Sequence, residues 1–196
     1  MSSESTVANP VWIIGSGGHS AVVIAMLQAS NIPVAGILDD QVERLGQRVL
    51  GVPVVGRPSE LAPDFAGPAI IAIGRNQVRL RLAANWPACQ WVSVVHPHAW
   101  VHESVSLGPG SVVCAGAVIQ PRAVLGPHCL INTGASVDHD CILGAGVHLA
   151  QGCRLGGGVR LGDGVWLRLG AGVETGNTIT AWEELEPGLV RRTPQS

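Results

Sequence analysis

From Val95 to Ile179 an apolar residue falls at every sixth position without a break, running through Val101, Leu107, Val113, Ile119, Leu125, Ile131, Val137, Leu143, Leu149, Leu155, Leu161, Leu167 and Val173. An amphipathic helix would repeat at about 3.6 residues and a half-buried strand at 2, so neither ordinary element explains the pattern. A second register four positions later is small or β-branched, as at Val105, Ser111, Ala117, Ala123, Cys129, Ala135, Cys141, Val147 and Cys153. One large and one small inward position per hexad predict a short flat strand followed by a corner. Glycine follows the large residue at Gly108, Gly126, Gly144, Gly156 and Gly162, where a tight corner would call for φ > 0. Leu107, Leu125, Leu143 and Leu161 stand 18 residues apart, so three hexads make one triangular coil and the stretch holds between four and five coils. Coils of this kind bury their apolar faces on one another as a solenoid. After Ile179 the pattern stops, and Trp182 to Leu185 is predicted as a helical turn capping the open end, within a cap and tail over residues 181–196.

Residues 1–94 carry a different pattern. Val11 to Ile14 is a short apolar run, followed by Gly15-Ser-Gly-Gly-His19-Ser20 and a helical segment from Ala21 to Ala29. Strand, glycine-rich turn and helix in that order form the first half of a nucleotide-binding βα unit. The third glycine of the dinucleotide fingerprint would fall on Ser20, so a ligand-free tight turn is the competing reading. Pro33 to Leu38 is a second strand ending at Asp39-Asp40, near where an acidic side chain meets a ribose; solvated strand-end acids are the bland alternative. Gly51 to Gly56 is another β segment, Pro58 to Leu61 a helical turn, Ala69 to Ile73 a strand ending at Gly74-Arg75-Asn76, and Gln77 to Asn85 a helix. Parallel strands would point Gly17, Gly18, His19, Asp39, Asp40, Arg75 and Asn76 at one crevice. His96 to Trp100 is taken as a hinge into the solenoid over residues 95–180. The fold class is therefore α/β plus all-β, a small Rossmann-like domain followed by a parallel β-helix.

Composition narrows the partners. The 196 residues carry a net charge of −2 without a basic run, which argues against nucleic acid and anionic membranes. No apolar run approaches a membrane span, and the first ten residues lack the layout of a signal peptide, so a cytoplasmic location is expected. Cys129, Cys141 and Cys153 occupy the small inward register and act as compact apolar residues, not disulfide or metal partners.

The densest polar group of the solenoid is Asn132 with Asp138-His139-Asp140, then His148. A histidine beside a carboxylate suits general-base work, since the acid fixes the tautomer and stabilises the imidazolium. Neighbours on a strand point to opposite faces, so Asp140 meets its own His139 only if the corner turns it; an ordinary exposed polar corner is the alternative. A zinc site shared by His128, His139 and His148 across subunits is a further one, though spacings of 11 and 9 do not reproduce a shared corner.

Taken together, the Gly15-Ser-Gly-Gly-His19 turn, Asp39-Asp40, Ala72-Ile-Gly-Arg-Asn76 and Ile131-Asn-Thr-Gly-Ala-Ser-Val-Asp-His-Asp-Cys141 resemble the NeuD/PglD-type sugar acetyltransferases of the hexapeptide-repeat superfamily, whose β-helix is left-handed. The resemblance implies transfer of an acetyl group from acetyl-CoA to an amino or hydroxyl group of a sugar, often a nucleotide-linked amino sugar, in a homotrimer with sites between neighbouring β-helices. It makes His139 the general base and Asp140 its acidic companion. Asn132 and His148 would line the acetyl-CoA and acceptor site, with the Gly157 N–H near the thioester. Gly17, Gly18, His19, Asp39 and Asp40 would face the nucleotide-sugar; Arg75 stands where the family commonly has a small or amide residue, and could pair with a phosphate or clash with the usual pose. No metal is implied. A chain end about one coil short, with Arg168 in the expected CoA groove, motivates the alternative of a non-catalytic nucleotide-sugar-binding trimer with a degenerate CoA groove.

Overall fold

The computed structural model describes residues 9–192. The first strand, β1 (Val11–Ile14), is buried on both faces and sits at the centre of a sheet ordered β3-β4-β2-β1-β5-β6. Its partners are β2 (Val34–Leu38) and β5 (Pro68–Ile71), with β4 (Val52–Gly56) and β6 (Gln90–Trp91) outside them, all parallel, and the two-residue β3 (Arg48–Val49) antiparallel at one edge. Such continuous apolar runs are what a parallel sheet covered on both faces requires. Helix α1 (Gly18–Ala29) joins β1 to β2 and α2 (Asn76–Ala84) joins β5 to β6. The strand order reverses around β1, so Gly15, Asp39 and Gly74 gather at one carboxyl edge of the sheet.

The solenoid starts at Val94–Val95 and lays down two-residue strands every six residues as far as Val190–Arg191. They form three parallel sheets of six, six and five strands, each residue pairing with the one 18 positions on, as Val112 does with Leu130. The first face holds the Val112, Leu130, His148, Trp166 and Glu184 strands, the second those of Val118, Ser136 and Arg154, and the third those of Val124, Ile142 and Arg160. Inside the prism both registers are buried, from Val113 and Ala117 to Ile179 and Leu185, with Cys129, Cys141 and Cys153 among them.

Three expectations change. The helical turn at Trp182 to Leu185 does not form: Glu184–Leu185 and Val190–Arg191 are further solenoid strands, so the β-helix continues past residue 180 into the expected cap. Leu185 keeps the six-residue register and is fully buried, whereas the small register had already broken at Asn177 and Glu183. The expected hinge at His96 to Trp100 is the first corner of the prism, with the His96 N–H donating to the Val113 carbonyl. The two domains share a core instead: Val94, Val112 and Leu130 point outward from the first face and are buried under α1, against Val23, Met26 and Leu27.

The third change concerns glycine. Gly108, Gly126, Gly144, Gly156 and Gly162 do not have positive φ. They are small because coils stack closely there; a Cβ on Gly108 would lie 2.4 Å from the carbonyl carbon of Gly126. Positive φ falls two residues later, at every sixth position from Gly110 to Gly188. Ten of these corners are glycine, and the others are Arg122 (φ 63°), His128 (57°), Asp140 (60°) and Trp182 (64°). A left-handed backbone costs an ordinary L-residue about 1–2 kcal/mol, so each exception calls for a compensating side-chain interaction.

Candidate active site

The carboxyl edge of the N-terminal sheet opens into a cavity of about 340 Å³ lined by Gly15, Gly17, Gly18, His19, Asp39, Asp40 and Gly74, among others. Gly15 (φ 102°) is required by the fold, since a Cβ there would press on Ile73 at 2.7 Å. Gly17 and Gly18 have open space where a Cβ would stand. They precede and open α1, whose first turn has no side-chain cap, so free N–H groups face the cavity as they do in phosphate-binding βα turns. Asp39 braces this loop: one carboxylate oxygen accepts from the Ser16 N–H and hydroxyl, both at 2.6 Å, and the other from the Gln41 N–H at 2.8 Å. Partial burial alone would raise its pKa, but these hydrogen bonds and Arg44 outweigh it and hold the group below the usual carboxylate range.

Arg75 and Asn76 do not join this cavity. Arg75 is exposed and lies beside a second cavity of about 250 Å³, with Trp166, Trp182 and Glu184. Asn76 is buried, and its amide donates to the carbonyls of Gly164 (3.0 Å) and Val165 (3.2 Å), tying α2 to the solenoid. Beside it stands a residue that sequence reasoning missed. Arg79, 2% exposed, donates to the carbonyls of His128, Ile73, Gly74 and Gly146 and to the Asn76 side chain, at 2.8–3.1 Å. All of these acceptors are uncharged, so burial pushes the guanidinium pKa down to about 10. In the sequence it lies within the helix expected over Gln77 to Asn85, where no motif marks it.

Around this cation sit three histidines with depressed pKa values. Burial, then the charge of Arg79, lowers His19 to about 4 and His128 to about 4. Burial, Arg79 and His19 lower His148 to about 3, against a weak opposing pull from the Gly74 backbone. His148 stacks on Trp166 with ring centroids 5.4 Å apart and 10° between planes, and neither of its nitrogens has a well-formed hydrogen bond. Arg168 covers the same tryptophan, 4.5 Å from its centroid, and pairs with Glu184. Asn132, 8% exposed, lies just past the first face, where its side-chain oxygen accepts from the Thr133 N–H.

His139 occupies a different edge, the corner between the second and third faces, with its side chain 55% exposed. The left-handed turn at Asp140 swings that carboxylate back onto its neighbour, leaving 2.7 Å between His139 Nδ1 and Asp140 Oδ2. Arg122, one coil below, grips the same carboxylate with two hydrogen bonds of 2.6 and 2.8 Å. Those hydrogen bonds from Arg122, then the one from His139, hold Asp140 far below the carboxylate range. One coil above, Gly157 makes room for the ring: a Cβ there would lie 2.7 Å from both Cε1 and Nε2. The Gly157 N–H takes no backbone partner among the described residues. Arg122 was legible in principle, being 18 residues before Asp140.

On one chain, then, Gly157 joins His139 and Asp140, whereas Asn132 and His148 lie on the side of the prism that carries the N-terminal domain. Within one chain the three histidines of the zinc alternative are not brought together: His128 and His148 are packed under that domain, and His139 is at another corner. Among the described residues no helix is long and apolar enough to cross a membrane.

A Rossmann-like front domain on a hexad-repeat β-helix is the architecture of the hexapeptide-repeat acyltransferases that the chain resembles. Residues 10–86 match the PglD N-terminal domain family. A histidine-to-alanine mutant of GDP-perosamine N-acetyltransferase from Caulobacter crescentus, solved with CoA and GDP-perosamine, is 38% identical, with a TM-score of 0.80 over 93% of this chain and 91% of that one. The acetyltransferase domain of PglB from Neisseria gonorrhoeae, in complex with acetyl coenzyme A, is 32% identical, with a TM-score of 0.68 over 93% of each chain. UDP-N-acetylbacillosamine N-acetyltransferase of Bacillus subtilis is 35% identical over 112 residues, or 54% of this chain. The alignments span 51% of that relative and 25% of an uncharacterised mimivirus protein. The chain belongs to the NeuD/PglD-type sugar acetyltransferases, and its β-helix is of their left-handed kind.

Proposed function

We propose that the protein is an acetyl-CoA-dependent N-acetyltransferase whose acceptor is a nucleotide-linked amino sugar. The observation that carries the reading is the corner at His139: an exposed imidazole bonded through Nδ1 to an ionised carboxylate, beneath a glycine that leaves Nε2 room. An ionised Asp140 can only accept, so Nδ1 carries the hydrogen and Nε2 presents a lone pair. Nε2 takes the proton from the acceptor amine as it attacks, and Asp140 stabilises the imidazolium. Acetyl-CoA supplies the acyl group as a thioester. The uncommitted Gly157 N–H donates to the oxyanion that develops on the attacked carbonyl, and the proton on His139 is available to the departing thiolate. Cys141 is not the nucleophile: its thiol is buried in the prism and its pKa is raised by that burial.

The nucleotide-sugar occupies the cavity at Gly17, Gly18, His19 and Asp39, its diphosphate on the first turn of α1. GDP- and UDP-linked amino sugars are the leading acceptors, from the substrates named for the Caulobacter and Bacillus relatives. The front domain sits on the first face, opposite the corner that carries His139, so a complete site needs a second copy. A homotrimer, with each His139 turned to a neighbour's crevice, provides three such sites. A sedimentation experiment showing a catalytically active monomer would sink that part of the reading. Against the non-catalytic alternative stand the continuation of the solenoid past residue 180 and the engagement of Arg168 with Trp166 and Glu184 on the first face. Thiol release from acetyl-CoA with purified amino-sugar nucleotides tests the activity.

A further inference from the structure

Arg122 and Asp140 both occupy left-handed corners where this solenoid otherwise prefers glycine, and both are exposed, with side chains 65% and 44% accessible. An exposed ion pair adds little to stability. Two strained corners spent on such a pair therefore need a reason other than holding the fold. Asp140 Oδ2 is shared between Arg122 Nη2 at 2.8 Å and His139 Nδ1 at 2.7 Å, while Oδ1 is taken by Arg122 Nε at 2.6 Å. The fork fixes the plane of the carboxylate. Arg122 is itself seated from below. Its backbone N–H donates to Ser104 Oγ at 3.0 Å, and that hydroxyl lies 2.8 Å from His102 Nδ1. One hydrogen-bonded column thus runs across three coils and ends at the imidazole.

We infer that Arg122 is a positioning residue, which acts through Asp140 to lock His139 in the tautomer that leaves Nε2 bare. An imidazole free in water favours hydrogen on Nε2, the useless form for a base that must act through that atom. A carboxylate that is only an acceptor, and that cannot rotate away, reverses the preference. The inference rests on the reading of His139 as a base, but its main consequence can be measured without turnover.

The experiment is 15N NMR of the histidine side chains at a pH where the ring is neutral, on the full chain and on Arg122→Gln, Arg122→Lys and Asp140→Asn, each checked for fold by circular dichroism. The wild type should show the Nδ1–H tautomer at His139. Arg122→Gln should shift the majority to Nε2–H and lower kcat about tenfold with acceptor KM unchanged. Arg122→Lys, which keeps the charge and loses the fork, should fall between. Asp140→Asn, whose amide can donate to Nδ1, should show Nε2–H almost entirely. A wild-type tautomer and kcat in Arg122→Gln would overturn the inference. A tautomer shift with no thiol release from any protein, wild type included, would leave the positioning role standing and remove the catalytic reading.

Discussion

A β-carbon on Gly157 would lie 2.7 Å from Nε2 of His139. The two residues stand 18 positions apart and stack directly, one coil on the next. Gly157 has no positive φ, so alanine is acceptable to its backbone and the clash is with the ring alone. Gly157→Ala is expected to keep the wild-type melting temperature while tilting the imidazole away from its carboxylate. Misplacing a reacting group by about 1 Å costs on the order of 100-fold in rate, so kcat should fall by about that factor. Wild-type kcat in the folded variant would contradict the placement of His139.

The buried histidines predict acid sensitivity. His19, His128 and His148 have folded-state values of about 4, about 4 and about 3, all below the ordinary 6.5. As pH falls the unfolded chain is protonated first. The stability these rings contribute is complete above about pH 6.5 and is lost as pH drops toward 4, at up to about 1.4 kcal/mol per pH unit for each ring. Urea midpoints should fall steadily from pH 6.5 to 4.5, and His148→Gln should flatten the slope. A midpoint independent of pH over that interval would rule this out.

Arg79 ties the seam between the domains, donating to the His128 and Gly146 carbonyls of the solenoid and to three uncharged acceptors of its own domain, at Ile73, Gly74 and Asn76. Removing it leaves buried carbonyls without donors, at a cost reduced because its own charge no longer has to be desolvated. Arg79→Met should lose about 2–4 kcal/mol in urea unfolding. It should also weaken the pH slope just described, since the same charge depresses all three rings. Wild-type stability in this variant would show the seam to be held by Asn76 and the apolar contacts of α1 without Arg79.

Asp39 braces the glycine loop from the far side of the crevice. Asp39→Ala should weaken nucleotide-sugar binding about tenfold, corresponding to about 1.4 kcal/mol, with kcat at saturation little changed. Isothermal titration calorimetry reads this directly. Undiminished affinity would mean that the loop needs no brace.

What the sequence made legible follows from how far each relationship reaches along the chain. The hexad is a local rhythm, so the prism, its inward residues and the corner at His139 could be read directly. Asp39 and the glycine loop fell on spacings that one βα unit imposes. Arg122 lay 18 residues from the carboxylate it grips, a distance visible only once the coil had been closed and stacked. Arg79 and Asn76 are set by how one domain rests on the other, through carbonyls 49 to 89 residues away that leave no trace in side-chain pattern. The end of the solenoid was misjudged for a simpler reason: Leu185 kept the large register after Asn177 and Glu183 had abandoned the small one.

The central claim is that His139 is the base of an amino-sugar N-acetylation. Thiol release from acetyl-CoA, measured across GDP-, UDP- and CMP-linked amino sugars with wild type and His139→Ala side by side, tests it most directly. Turnover with one amino sugar, reduced about 100- to 10,000-fold in the folded mutant, is the predicted result. Equal rates in the two proteins, or silence across the panel while a nucleotide-sugar still raises the melting temperature, would contradict it.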